Sequence, residues 1–580
     1  MKKSQLVVGA MSIAATLACA SNLMAYTPAE TFYAAGSSAQ FNTFALAAGA
    51  PNIYSAGVPA LCGTHHWSKK NPGGSTSITL NDPRNPGSIV PEGGNIWIVW
   101  NDAAASQTSG GVICYYLSVD SIVGVRGYQA KGTISLPAGL VGVADSNIVP
   151  LLGAGEALPA NIQSVVNGSV LNVGVTDIRP EDAKFATMRA LTAYGTQITG
   201  RGFTGVGYGP FPIGTSIQSS QSSATANPVD FAIVPSDTDP VNSSFPVRTY
   251  IDASVGASPI LVFANQSNTG NGHFGDGHYT NVNRFVLANV VTGNLRHIRD
   301  LADVAGEADA PIHVFIREPL SGTYNTMDFT VPNSREIGGD PSFANGVVIG
   351  QEANITPSNT GCTVKPCTVE SGNPLYHIFS NGATRARVVG TGEMISTVSA
   401  TSDAIGYAFW GYSAFQGKPN IKYMTVDGVD PLYSGPASNP NGVGFIPQCA
   451  TSGGVVTSCP LLNFPNVVNG TYPIWSKLRL LYDPSDATNI ATTMVSYAQA
   501  AANPITGIVT DFVPAPLLQV FRSHFAQVVT DSGAGYGGNN GFKSGVPETG
   551  GDMGGAVYTV QSELDYINDT GGLQQTDQKQ

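Results

Sequence analysis

Three times along this chain, an apolar strand-like run stops at small hydroxyl or carboxylate residues that open a helix-like run. Thr31 to Gln40 passes from Thr-Phe-Tyr-Ala-Ala into Gly36-Ser37-Ser38 before an apolar stretch beginning at Phe41. Val173-Gly174-Val175 runs into Thr176-Asp177, ahead of Ile178-Arg179-Pro180. His313 to Ile316 delivers Arg317, crosses Glu318-Pro319-Leu320, and enters Ser321-Gly322-Thr323. Strands alternating with helices in this way point to α/β architecture rather than an all-β one. The chemistry at the junctions is also shared. A helix N-terminus offers unpaired N–H groups and partial positive charge to an oxyanion. Ser321 and Thr323 add hydroxyl donors, Gly322 allows close backbone approach, and Arg317 supplies a bidentate fork. Any one junction is ordinarily a helix cap. Open α/β sheets bind ligands beyond the carboxyl ends of their strands, and three such ends in one chain point to an anion site.

The remaining segments fit the same class. Ile260-Leu261-Val262-Phe263, Ile312 to Ile316 and Ala404 to Trp410 read as buried strands. Glu181 to Tyr194 reads as a helix, and so does Asp486 to Ala502, where Asp483-Pro484-Ser485-Asp486 supplies capping oxygens and an early proline. From about 49 to 160 the texture changes to short strands punctuated by Gly, Pro and Ser, among them Asn95 to Trp100 and Ile113 to Val119. That stretch is expected to be a largely β insertion. Beyond about 532 the chain is Gly-rich and polar, as a mobile tail would be. With 580 residues, two or more lobes are expected.

The N-terminus reads as a secretory signal: Lys2 and Lys3, an apolar run from Leu6 to Ala20, then small-residue cleavage positions after Ala20 or Ala25. Cys19 lies in a poor lipobox, Thr16-Leu17-Ala18-Cys19, so lipidation there is not the expected outcome. No later segment approaches the roughly 20 apolar residues of a membrane helix. Six cysteines remain after the signal. Local spacing favours Cys362–Cys367 and Cys449–Cys459, leaving Cys62–Cys114, and an oxidising compartment favours disulfides over a metal site. Charged residues make up 11% of the chain, against the usual roughly 25%. The formal charge of −12, which becomes −14 without Lys2 and Lys3, argues against nucleic acid and anionic membranes as partners. A small anion held by neutral dipoles and one Arg is compatible with that balance. A periplasmic or secreted monomer is expected.

In order along the chain, Ala35-Gly36-Ser37-Ser38, Gly174-Val175-Thr176-Asp177, Val255 to Val262, Val290-Val291-Thr292-Gly293-Asn294, Arg317 to Thr323, Ala404-Ile405-Gly406-Tyr407 and Tyr472-Pro473-Ile474 form a series. This series resembles the phosphate-binding, PstS-like members of the periplasmic solute-binding protein superfamily. The resemblance implies a two-lobed type 2 binding-protein fold that clamps an anion between lobes. Lobe 1 would span 26–255, with the insertion at 49–160, and lobe 2 would span 256–418. A return segment would follow at 419–531 and a tail at 532–580. Ser37, Ser38, Asp177, Arg317, Ser321, Gly322 and Thr323 would contact phosphate. Asp177 would accept a hydrogen bond from a protonated phosphate oxygen, which sulfate lacks, so the same carboxylate would repel sulfate. The resemblance implies no catalytic residue, no cofactor and no resident metal; the partners implied are phosphate or a similar oxyanion and an ABC transporter permease. Two departures stand out. Pro319 occupies the place of the family's acidic residue two positions after the Arg. The family's Ser-rich loop has two candidates here, Thr108-Ser109-Gly110-Gly111 and Asp120-Ser121.

Rival sites are few. Gly272-His273-Phe274-Gly275-Asp276-Gly277-His278 has metal-ligand types at suggestive spacing within a polar loop. His65-His66-Trp67 reads as surface residues, and Arg201 to Gly209 is Gly-rich without a phosphate-loop or dinucleotide pattern. No Gly-x-Ser-x-Gly elbow or His-Glu-x-x-His occurs. Three function classes follow: an exported phosphate receptor, a secreted or surface interaction protein that reuses the fold, and, with least support, a phosphoester-processing enzyme.

Overall fold

The structure is a computed structural model that describes most of residues 26–178, 248–331 and 377–526 and a few others. The first half opens with β1 (Glu30–Gly36), α1 (Phe41–Gly49), β2 (His65–Lys69), β3 (Asn95–Trp100), β4 (Val112–Ser118), α2 (Ser121–Gln129) and β5 (Val173–Thr176). The second half follows with β6 (Ile251–Asn265), β7 (His313–Arg317), α3 (Gly322–Thr330), β8 (Thr384–Val388), α4 (Gly390–Ala400), β9 (Ala404–Phe409) and β10 (Ile421–Val426). A hairpin of β11 (Ala450–Ser452) and β12 (Val455–Ser458) comes next, and β13 (Trp475–Tyr482) and α5 (Ala491–Ala501) return to the first half.

The main strands join one mixed sheet in the order His377–Ile378, β8, β7, β9, β6, β13, β5, β1, β4, β3, β2. Within it β1 runs parallel to β4 and β5, and β7 parallel to β8 and β9. The 15-residue β6 spans both halves. Its residues 251–259 pair with β13, and residues 260–265 pair with β9 and β10. Helices cover both faces of the first half, as a buried mixed sheet requires. On one face Ile122, Val123, Val125 and Tyr128 of α2 pack with Trp67, Trp100 and Tyr115. On the other, Phe44 of α1 and Met494 of α5 pack with Trp97 and Tyr116. The second half has its own core around Phe263, Trp410 and Phe415. The α/β class and the two-lobed layout are therefore both present.

Residues 49–160 do not form an appended body. Strand β4 lies between β1 and β3 in the main sheet, and α2 packs on the sheet's face. The segment's Gly/Pro/Ser texture belongs to the long connections between short strands. The boundary expected near 419 also differs. β10 still pairs with β6, and the chain rejoins the first half only at β13. The helix expected from Asp486 begins at Ala491 instead. Asp483 and Asp486 spend their carboxylates on local turns, accepting from Ser485 and Thr488, in the way that Asp competes with helix formation.

Cys62–Cys114 ties the loop after α1 to β4, and Cys449–Cys459 spans the base of the β11–β12 hairpin. Cys362 and Cys367, the helix expected at 181–194, the segment 201–209 and nearly all of the tail lie outside the described residues. Among the described residues no helix is long and apolar enough to cross a membrane.

Candidate anion site

Parallel pairing brings the ends of β1, β4 and β5 level. Gly36 sits opposite both Ser118 and Val175. At Gly36 the backbone has φ +142°, and an added Cβ would fall 1.8 Å from the Val175 carbonyl oxygen, so only glycine lets these strands close here. The next residues of each strand then converge. Ser37 is buried, accepts from the Ala39 N–H at 3.3 Å and donates to Asp177 Oδ2 at 3.3 Å. Ser121, first residue of α2, donates to Asp177 Oδ1, and Tyr116 fixes the Ser37 carbonyl with its hydroxyl. Ser476 of β13 donates to the Asp177 carbonyl.

The second half meets this group from across the seam. Arg317, only 2% exposed, ends β7 with its N–H donating to the Tyr407 hydroxyl at 3.1 Å. Its guanidinium reaches the Thr391 hydroxyl at 3.3 Å and Asp120 Oδ1, in the first half, at 3.3 Å. Ser321 caps α3 without a side-chain cap bond, and Ser321 and Thr323 are both buried. A Cβ on Gly322 would lie 1.6 Å from Asp177 Oδ1, so the start of α3 rests directly on that carboxylate. Ser38 faces the same seam, its hydroxyl 3.3 Å from that of Thr391.

Of the seven residues expected from the sequence, Ser37 and Gly322 meet Asp177, Ser38 and Arg317 meet at Thr391, and Ser321 and Thr323 flank Gly322 as buried neighbours. Burial pushes the Asp177 carboxyl up to about 6, against the downward pull of Ser121, the backbone, Arg317 and Ser37. Chemically the place offers hydroxyls, the starts of α2 and α3, one guanidinium and two carboxyl groups, Asp120 and the raised Asp177. Of the two candidates for the Ser-rich loop, Asp120-Ser121 is the one at the site. Thr108 instead bonds the Ala103 carbonyl on an exposed turn. Asp120 also provides a carboxylate beside Arg317, the feature that Pro319 removes from the Arg317 loop. Thr391 was not expected, although Gly390-Thr391-Gly392 after β8 repeats the strand, small hydroxyl, helix pattern of the other junctions.

The rival sites resolve differently. His273 is held by Asp403, through its N–H at 2.6 Å and its ring Nδ1 at 2.9 Å, while His278 lies outside the described residues. His65 lies between Glu156 at 2.8 Å and Asp102 at 2.7 Å and stacks on Trp100. No group of three or more metal-ligating side chains occurs among the described residues.

Neither a family model nor a curated protein matches this chain. Among solved structures, an ABC-type phosphate transport receptor from Vibrio cholerae is similar at 14% identity, covering 46% of this chain and 76% of its own, with a TM-score of 0.23. A phosphate-binding protein from Stenotrophomonas maltophilia is similar at 14% identity, with coverages of 46% and 68% and a TM-score of 0.23. A human phosphate-binding apolipoprotein is similar at 16% identity, with coverages of 46% and 69% and a TM-score of 0.24. At these scores the likenesses carry no weight for the site, which stands on its own geometry.

Proposed function

We propose that the chain is an exported solute-binding protein that captures inorganic phosphate, or an oxyanion of similar shape, between its two halves and hands it to an ABC-type permease. The observation that carries this reading is Arg317. A guanidinium buried to 2% exposure at the seam, beside the Thr391 hydroxyl that also meets Ser38, is the charge-assisted donor a desolvated oxyanion needs. Asp177 supplies the acceptor that a protonated phosphate satisfies and sulfate does not. Export rests on the signal-like residues 1–25, and two disulfides suit an oxidising compartment.

The test is calorimetric titration of the mature chain, stripped of bound anion, with phosphate and then sulfate. Heat with phosphate alone, abolished by Arg317→Ala and weakened by Asp177→Asn, is the expected result. A folded sample silent with both anions would overturn the proposal and favour an interaction protein built on the same fold. For that second reading an exposed apolar patch in 49–160 would be the signal. Among the described residues of that segment, Tyr54 is the large hydrophobic side chain left exposed, and it stacks on Tyr497.

A further inference from the structure

A cavity of about 510 Å³ opens between the two halves, lined by residues that take no part in the anion site. Asn42 and Leu46 of α1 and Val149 line it from the first half. Tyr412 and its short turn line it from the second, and Val456 of the β11–β12 hairpin adds a further wall beside Cys449 and Cys459. The size falls within the roughly 300–1,000 Å³ of small-molecule sites, and the walls are mainly apolar, as in such sites.

Its polar walls set one carboxylate, Asp511, among neutral groups: Asn42, Ser413, Gln416 and Thr451. Asp511 is 3% exposed; its Oδ2 accepts from the Thr43 hydroxyl at 3.2 Å and its Oδ1 from the Tyr412 N–H at 3.1 Å. A carboxylate has room for about four donors, so each oxygen has capacity beyond these bonds. Asn42 turns its amide nitrogen to Ser413, and its Oδ1 is buried with no hydrogen-bond partner. Among the described residues no Lys, Arg or His lines the cavity. An anion would meet the Asp511 carboxylate and neutral dipoles, with no countercharge among the described residues. An ammonium, with three donors and a positive charge, meets what the walls lack.

We propose that this cavity is a second ligand site that takes a small, mainly apolar primary amine, its ammonium facing Asp511 and its apolar body lying against Leu46, Val149 and Val456. The site is independent of what the anion seam binds. Burial pushes Asp511 up to about 6, so amine binding strengthens as pH rises through that value and the carboxylate ionises.

The test is calorimetry on the mature chain at pH 7.5 with 2-phenylethylamine, its uncharged analogue 2-phenylethanol and its acidic analogue 3-phenylpropionate. The amine is expected to bind at least tenfold more tightly than the alcohol, and the acid not at all. Val456→Trp fills the cavity from a half-buried hairpin position, so it is expected to stay folded, with a thermal midpoint close to the parent's, and to lose amine binding. Asp511→Asn is expected to lower amine affinity to that of the alcohol. If Asp511→Asn does not fold, Val456→Trp decides alone. The proposal fails if the parent protein does not bind the amine, if it binds acid and amine alike, or if Val456→Trp leaves amine binding unchanged.

Discussion

A carboxylate that accepts hydrogen bonds from Ser121 and Ser37 and lies near Arg317 would ordinarily ionise below 4, but burial carries Asp177 up to about 6. The side chain therefore changes role within the range where the protein would work. Above 6 it is an acceptor, and a ligand must bring a proton to meet it. Below 6 it carries that proton itself and donates, which suits fully ionised sulfate. A hydrogen bond to a charged group is worth about 1.5–3 kcal/mol, or roughly ten- to hundredfold in affinity. The ratio of phosphate to sulfate affinity is expected to be at least tenfold at pH 7.5 and to fall towards unity at pH 5. Asp177→Asn, which holds a donor at every pH, is expected to show the low ratio throughout. Titrations of both proteins with both anions at the two pH values check this; a wild-type ratio that does not change with pH contradicts the role given to Asp177.

At the scale of elements, selectivity depends on how closely the start of α3 approaches the first half. Gly322 has no space for a side chain, because its Cβ would fall 1.6 Å from Asp177 Oδ1. Gly392, in the first turn of α4, would place a Cβ with nothing within 4 Å. Gly322→Ala is therefore expected to force α3 and Asp177 apart by more than an ångström and to cost at least tenfold in phosphate affinity. Gly392→Ala is expected to leave affinity unchanged and to stabilise α4 by up to about 1 kcal/mol. Calorimetry and thermal melts of the pair separate contact at the seam from helix propensity; equal affinities in the two variants would remove α3 from the site. The same elements mark what could be read from the sequence. Ser37, Asp177, Arg317 and Ser321 to Thr323 were legible because each lies at a local junction of strand and helix. Ser121 and Thr391 occupy junctions of the same kind. Their membership depends on β4 lying beside β1 and β8 beside β7, and sheet order is not local information. The same holds for the pairing of Asp120 with Arg317, which crosses between halves, and for 49–160, whose strands at 95–100 and 112–118 were legible while their place in the central sheet was not.

For the molecule as a whole, most buried ionisable groups that are shifted pull in one direction. Asp177 and Asp511 are each raised to about 6, and Asp430 is raised as well, all chiefly by burial. In the unfolded chain these carboxyls lose their protons near 3.8, whereas in the folded chain the first two keep them to about 6. Between those values the folded state binds more protons, so its stability falls as pH rises. A shift of about two units corresponds to roughly 3 kcal/mol for each such group. His65 is raised by its hydrogen bonds to Asp102 and Glu156, so the stability it adds is present in mild acid and is lost as pH rises through its folded value. His313 opposes them. Burial lowers its folded value, so it costs stability below about 6.5. Asp145 and Asp483, both lowered, act only in stronger acid. The carboxyl contributions outweigh the single opposing histidine. The thermal midpoint of the anion-free protein is expected to fall by several degrees from pH 5 to pH 7.5. Asp511→Asn removes one of the two largest contributions, so its midpoint is expected to fall less over the same interval. Melts of both proteins in buffers of matched ionic strength provide the check, and a wild-type midpoint that rises from pH 5 to 7.5 would show that these carboxyls are ionised in the folded chain at the lower pH.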